Sequence, residues 1–258
     1  MDATRIATQL SPMGRRLATF CLSPPPMILP RKADERGIVD HGWLLARHTF
    51  SFASYFDPRW EQFRVLRVIN EDTVQGGTGF GSHPHRDMEI ITWILDGALE
   101  HRDSMGSHGI LRPGDAQVMS AGTGVVHSEV NASKQQEVHL LQTWIFPKSR
   151  GAKPSYLQRN FPLEARRDRF CAIASGDGRG DSLPIHQDAV VSIANPSRGV
   201  ELVHEIGAGR GAWLQVARGA VTVEGHRLAA GDGVGISDAT RLVIGAEQDS
   251  ELMLFDLP

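Results

Sequence analysis

The amino-acid sequence predicts an all-β protein built from two β-barrels in one chain, and three observations lead there. Glycine and proline are frequent, 27 and 14 in 258 residues, and they punctuate short apolar runs instead of forming a low-complexity tract, which is the rhythm of many short strands. The runs themselves are rich in β-branched and aromatic residues. Finally, one order of strand, glycine turn, strand and Gly-Asp turn occurs twice along the chain, and such internal repetition fixes an architecture.

Individual runs bear this out. Ile90-Ile91-Thr92-Trp93-Ile94-Leu95 is closed by Asp96-Gly97, a strong hairpin dipeptide. Val138 to Phe146 is a second run, stopped by Pro147, and the charged stretch Glu164 to Arg169 reads as a short helical or turn connection. The first copy of the repeat runs Thr92-Trp93-Ile94-Leu95, Gly97-Ala98-Leu99, Leu111-Arg112-Pro113-Gly114-Asp115. The second runs Ala212-Trp213-Leu214-Gln215-Val216, Gly219-Ala220-Val221, Leu228-Ala229-Ala230-Gly231-Asp232. This is the pattern of a cupin-like barrel, with glycine supplying the positive-φ turn positions. The expected organisation is a disordered or dispensable extension over 1–26, an N-terminal barrel over 27–150 and a C-terminal barrel over 151–258.

The extension is set apart by composition. It carries Arg5, Arg15 and Arg16 against one acid, Asp2, and ends in Ser23-Pro24-Pro25-Pro26. A basic, acid-poor segment suits a targeting peptide, but the apolar stretch Leu17 to Leu22 is short and no small-residue cleavage site follows it. The expectation is that the folded part begins at Met27.

Composition excludes several function classes. With 41% hydrophobic and 22% charged residues the chain has an ordinary globular balance. A net charge of -3 offers no basic footprint for nucleic acid and no polybasic patch for a membrane surface. No run approaches the ~18 apolar residues of a membrane helix. Cys21 and Cys171 are too few and too far apart for a disulfide framework, which suits a reducing compartment. A soluble, cytoplasmic protein is expected.

The chemistry concentrates in two segments. In Gly77-x5-His83-Pro84-His85-x3-Glu89, strand alternation would send His83, His85, Asp87 and Glu89 to one face, and two imidazoles so spaced can chelate a divalent ion. Further on, His127-Ser128-Glu129 again sets a histidine and a carboxylate two apart. If the two strands are barrel neighbours, both pairs face one lumen. The first cupin motif is nearly intact, with its downstream glycine one residue late at Gly97. The second departs further, with four residues between Ser120-Ala121-Gly122 and His127, although His127-x3-Asn131 is kept. Five side chains compete for four ligand positions, since Glu89 and Glu129 both qualify and parity does not choose.

The remaining histidines, His41, His48, His101, His108 and His139, lack chelating spacing and read as structural or exposed, with His139 in the core or near the pocket. The five tryptophans read as core. Gly76-Gly77-x-Gly79-x-Gly81 lacks the lysine and helix of a phosphate loop and reads as a turn into the His83 strand. In the C-terminal copy, alignment on the turn glycines sets Glu205 and Gly207 against His83 and His85, and Ile244 and Ala246 against His127 and Glu129. One metal ion per chain is therefore expected.

From Met27 to Pro258 the chain closely resembles the pirin family, and among pirins the bacterial pirin-like quercetinases. The resemblance is carried by Arg31 to Gly37, His41-Gly42-Trp43, His48-Thr49-Phe50-Ser51-Phe52, His83 to Glu89, Gly122 to Glu129, Gly219 to Val223 and Leu254 to Pro258. It implies a bicupin whose N-terminal barrel binds one metal through three histidines and the glutamate of the second motif, here His83, His85, His127 and Glu129. It also implies quercetin 2,3-dioxygenase activity: opening of a flavonol by O2 with release of carbon monoxide, Glu129 accepting the flavonol hydroxyl proton. Fe(II) is the expected ion; Zn, Mn, Co, Ni and Cu also suit three imidazoles and a carboxylate. The alternative implied by other pirins is a non-enzymatic, metal-dependent regulator that binds a protein partner.

Overall fold

The computed structural model describes residues 26–258, so the expectation for 1–26 falls, Pro26 apart, outside the described residues. Each half folds as a jelly roll of one seven-stranded and one four-stranded sheet, open at the ends rather than fully closed. In the N-terminal half the large sheet runs, neighbour to neighbour, Ser155–Asn160, Asp115–Ser120, Glu89–Asp96, Val138–Ile145, Leu66–Val74, Leu44–His48 and Gly37–Asp40. The small sheet runs Gly79–His85, Val125–Asn131, Leu99–Asp103 and His108–Leu111. The C-terminal half repeats the scheme. Its large sheet runs Met27–Arg31, Gly233–Ser237, Gly211–Arg218, Glu251–Leu257, Val190–Ala194, Cys171–Ser175 and Leu183–Pro184. Its small sheet runs Glu201–Glu205, Arg241–Ala246, Ala220–Val223 and His226–Ala229.

The two apolar runs of the repeat become the equivalent strands Glu89–Asp96 and Gly211–Arg218. All but the last residue of each is buried, which is why neither run alternates with polar residues. One face looks into its own barrel and the other meets the opposite large sheet. That second face builds a shared core in which Phe50, Ile91 and Trp93 from one half pack with Val191, Trp213 and Phe255 from the other. Trp213 lies 4.9 Å from Phe50 and 5.5 Å from Phe63, ring centre to ring centre. The hairpins that follow are also equivalent. Gly97 and Gly219 have φ of 77° and 82°, and a side chain on either would collide with a backbone carbonyl, of Glu137 or Asp249. Glycine is required at both.

Sheet membership crosses the boundaries expected at 27 and 151. Met27–Arg31 pairs with Gly233–Ser237 in the C-terminal sheet, and Ser155–Asn160 pairs with Asp115–Ser120 in the N-terminal one. Each thus covers the outer edge of a strand that would otherwise present unpaired backbone groups. The first strand also ties the halves together, because Arg31 at its end is buried against the N-terminal half, its guanidinium donating to the Tyr55 hydroxyl (2.7 Å) and stacking over Trp60. The connection at 164–169 contains a single helical turn, Leu163–Arg166. Among the described residues no helix is long and apolar enough to cross a membrane.

Candidate metal centre

The small N-terminal sheet brings the histidines together through strand register. Gly79–His85 and Val125–Asn131 run antiparallel with His83 directly opposite His127 and His85 opposite Val125. The three imidazoles of His83, His85 and His127 then stand with ring centres 4.4–4.8 Å apart, and their candidate donor atoms lie within 4.8 Å of one another. A bulge follows His127 in this pairing. Glu129 remains on the buried face, where Gln142 Nε2 donates to its carboxylate at 2.7 Å and Gln117 Nε2 approaches at 3.4 Å. Glu129 forms a second such group with His127 and His101 and lines the same cavity as His83 and His85.

Protonation suits metal binding. Burial, reinforced by the neighbouring histidines, lowers His127 to about 3 and His85 to about 4, so both rings are neutral at pH 7 and offer a lone pair. The Nε2 atoms of both are buried without any hydrogen-bond partner, and such orphaned acceptors are exceptional in folded proteins. His83 lies with Nδ1 2.8 Å from the Gly81 carbonyl; the carbonyl can only accept, so the proton sits on Nδ1 and Nε2 is free. Three aimed imidazole nitrogens beside a buried carboxylate fit one divalent ion.

Glu89 does not join either group. The chain turns at Asp87, whose φ of 49° is left-handed, and Glu89 begins a strand of the other sheet. There it is buried, accepts a 2.5 Å hydrogen bond from Ser120 Oγ, and is raised above the usual carboxylate range by burial. Extending strand alternation from His83 to Glu89 was therefore wrong: the strand ends at His85.

Several side chains read as structural or core belong to the site. His101 is fully buried beside His127. His48, bonded to Asn70 at 2.8 Å, and Trp144, edge-on to His85 at 4.8 Å, line the cavity with Leu44, Phe52 and Phe80. Asp72 also faces the cavity; burial and the nearby Glu129 and Glu71 charges push it up to about 7. The histidine-x-aspartate spacing of His101 and Asp103 was a readable signal, identical in kind to His127-x-Glu129. The pairing of 101 with 127 across strands was not.

The C-terminal counterpart also shifts by register. Glu129 lies across from His101, four residues past Gly97, and Ile244 lies across from Val223, four residues past Gly219. Ile244 thus matches Glu129 and Leu242 matches His127, two residues earlier than expected but on the same inner face. Across from Leu242 stands His204, not Glu205, and it is engaged by Asp256 at 2.8 Å. Among the described residues, both candidate metal groups lie in the N-terminal half.

Comparison with known proteins places the chain in a family. Residues 31–145 match the pirin family and residues 172–257 match the quercetinase C-terminal cupin domain. The quercetin 2,3-dioxygenase of Escherichia coli (strain K12) is 46% identical over 232 residues, 90% of this chain and 99% of that protein. The chain belongs to the pirin family. A pirin-like protein of Caulobacter vibrioides is 45% identical over 89% of this chain and 99% of its own length. Among solved structures, the E. coli pirin YhhW in complex with nickel(II) superposes with a TM-score of 0.86 at 46% identity, covering 90% of this chain and 99% of that one. As a pirin with a quercetinase-type C-terminal cupin, this chain is a bicupin in which the metal-type cluster sits in the first barrel.

Proposed function

We propose that this pirin is a quercetin 2,3-dioxygenase that opens flavonols with O2 and releases carbon monoxide, using one divalent ion held by His83, His85, His127 and Glu129. The carrying observation is the convergence of three imidazoles, two with orphaned Nε2 atoms, beside an apolar cavity that His83, His85 and Glu129 line. The nickel(II) bound by the E. coli pirin supports a single divalent ion, and Fe(II) is the ion we assign here. When bound, the ion supplies Lewis acidity that favours the flavonolate over the flavonol.

The chain's own residues do the rest. Glu129, steadied by Gln142, accepts the 3-hydroxyl proton. Leu44, Phe52, Phe80 and Trp144 wall the cavity with apolar surface, which excludes water from the activated ring. The cavity measures about 180 Å³, below the ~300–1,000 Å³ of sites that enclose a drug-sized ligand. It therefore takes the oxygen-bearing end of the flavonol while the rest lies toward the opening. A concave apolar cavity over the histidines favours an enzyme over a protein-binding regulator, which needs no such space.

The test is turnover by chain loaded in turn with Fe(II), Mn, Co, Ni, Cu and Zn. Quercetin consumption with one carbon monoxide released per O2 consumed is expected with at least one ion. Absence of turnover with all six, in chain that demonstrably holds the ion, would sink the proposal.

A further inference from the structure

We infer that His101 and Asp103 are positioning residues that fix the tautomer of His127, leaving its Nε2 lone pair aimed at the metal position. The inference rests on the ligand set proposed above and begins from a carboxylate that the ligand set does not use. Asp103 has a fully buried side chain, as has His101. Its Oδ1 accepts the backbone N–H groups of Met105 (2.9 Å) and Ser107 (3.0 Å), while Oδ2 lies 3.1 Å from His101 Nε2. Two backbone N–H groups and an imidazole nitrogen thus converge on this buried carboxylate, an arrangement that favours its ionised form.

An ionised carboxylate can only accept, so His101 carries a proton on Nε2, and as a neutral imidazole it presents a lone pair on Nδ1. That nitrogen lies 3.4 Å from His127 Nδ1. Two bare nitrogens would repel, so the contact requires a proton on His127 Nδ1, which leaves Nε2 bare. This is the same nitrogen found buried without a partner. Tyr156 stacks flat on His101, centroids 4.4 Å apart with 19° between the rings, so the imidazole cannot swing away. His83 is oriented in parallel fashion by the Gly81 carbonyl. Metal-binding histidines commonly depend on such a partner for orientation; here the partner is a second histidine backed by an aspartate.

The test uses the metal-free full chain with 15N-labelled histidines. Long-range 1H–15N spectra, assigned with His101→Asn and His127→Asn, should show His127 protonated on Nδ1 and His101 on Nε2. His127 protonated on Nε2 would overturn the inference. Asp103→Asn keeps the volume but lets an amide N–H face His101 Nε2, driving the proton to Nδ1 and reversing both tautomers. Its cobalt(II) affinity should fall ~10–100-fold with a changed visible spectrum. An Asp103→Asn chain with the parent's tautomers, affinity and spectrum would refute the inference. So would two cobalt ions per chain with one lost in His101→Asn, since His101 would then be a ligand. A chain that binds no cobalt at all would refute the ligand set instead, and the metal-free tautomers would decide this inference alone.

Discussion

The two small sheets have the same strand order and opposite interiors. In the N-terminal barrel the strand pair Gly79–His85 and Val125–Asn131 presents histidines and a glutamate that leave nitrogen lone pairs unpartnered. In the C-terminal barrel the positions matching His127 and Glu129 hold Leu242 and Ile244, packed with Leu202, Val221 and Leu254 in a continuous apolar core. One barrel keeps a cavity beside its histidines; the other packs apolar side chains at the matching positions. A shared scaffold therefore divides the labour, the second barrel supplying a rigid wall against which the large sheet of the first is held through Trp93, Trp213 and Phe255.

Exchanging the two interiors should break this contrast most sharply. Ile244→Glu puts a carboxylate into an apolar core with no donor to meet it, which costs several kcal/mol or more, so the variant should be largely unfolded by circular dichroism at 25 °C. The reciprocal Glu129→Ile should fold, because it removes a buried charge, while losing metal. A well-folded Ile244→Glu chain would mean that the second barrel is less tightly filled than described.

The next effect concerns the wall of the first barrel. Glu71 is raised by burial, but hydrogen bonds and charge from His139 and Arg36 (3.0 and 2.8 Å) more than compensate and bring it down to about 2. A depressed carboxylate stabilises the fold fully above its unfolded value near 4.5 and loses that contribution as pH falls toward 2. Glu71→Gln should thus lower stability by roughly 2–3 kcal/mol at pH 7 and by roughly half that or less at pH 3, where the folded carboxylate is still mostly ionised. Urea midpoints at the two pH values check this, and an equal loss at both would point to packing instead of charge.

Smaller, but more specific, is the contrast between the two carboxylates near the histidines. Glu129→Gln should keep the fold and weaken metal binding ~10–100-fold, whereas Glu89→Gln should leave affinity within a few-fold because Glu89 faces Ser120. Isothermal titration with cobalt(II) separates them. The reverse ranking would restore the assignment that strand alternation first allowed.

That near-miss marks where sequence reading stops. The His83-x-His85 and His127-x-Glu129 pairs were legible because two-residue spacing on a strand is a local property. The paired turn glycines were legible for the same reason, since positive φ is decided within a residue or two. Glu89 was misjudged because one left-handed residue, Asp87, hands the chain to a different sheet, and nothing in the local pattern announces it. The exchange of Met27–Arg31 into the second barrel joins residues some two hundred positions apart, and such pairings leave no periodic trace. His101 was passed over because its partner, His127, is brought to it only by cross-strand pairing.

The central claim, one working barrel and one filled barrel, is tested most directly by locating the metal. X-ray absorption and a crystal structure of the metal-loaded chain should reveal one ion, bound by His83, His85, His127 and Glu129 in the N-terminal barrel. An ion on Glu89 with Glu129 turned away, or a second ion in the C-terminal barrel, would contradict the account.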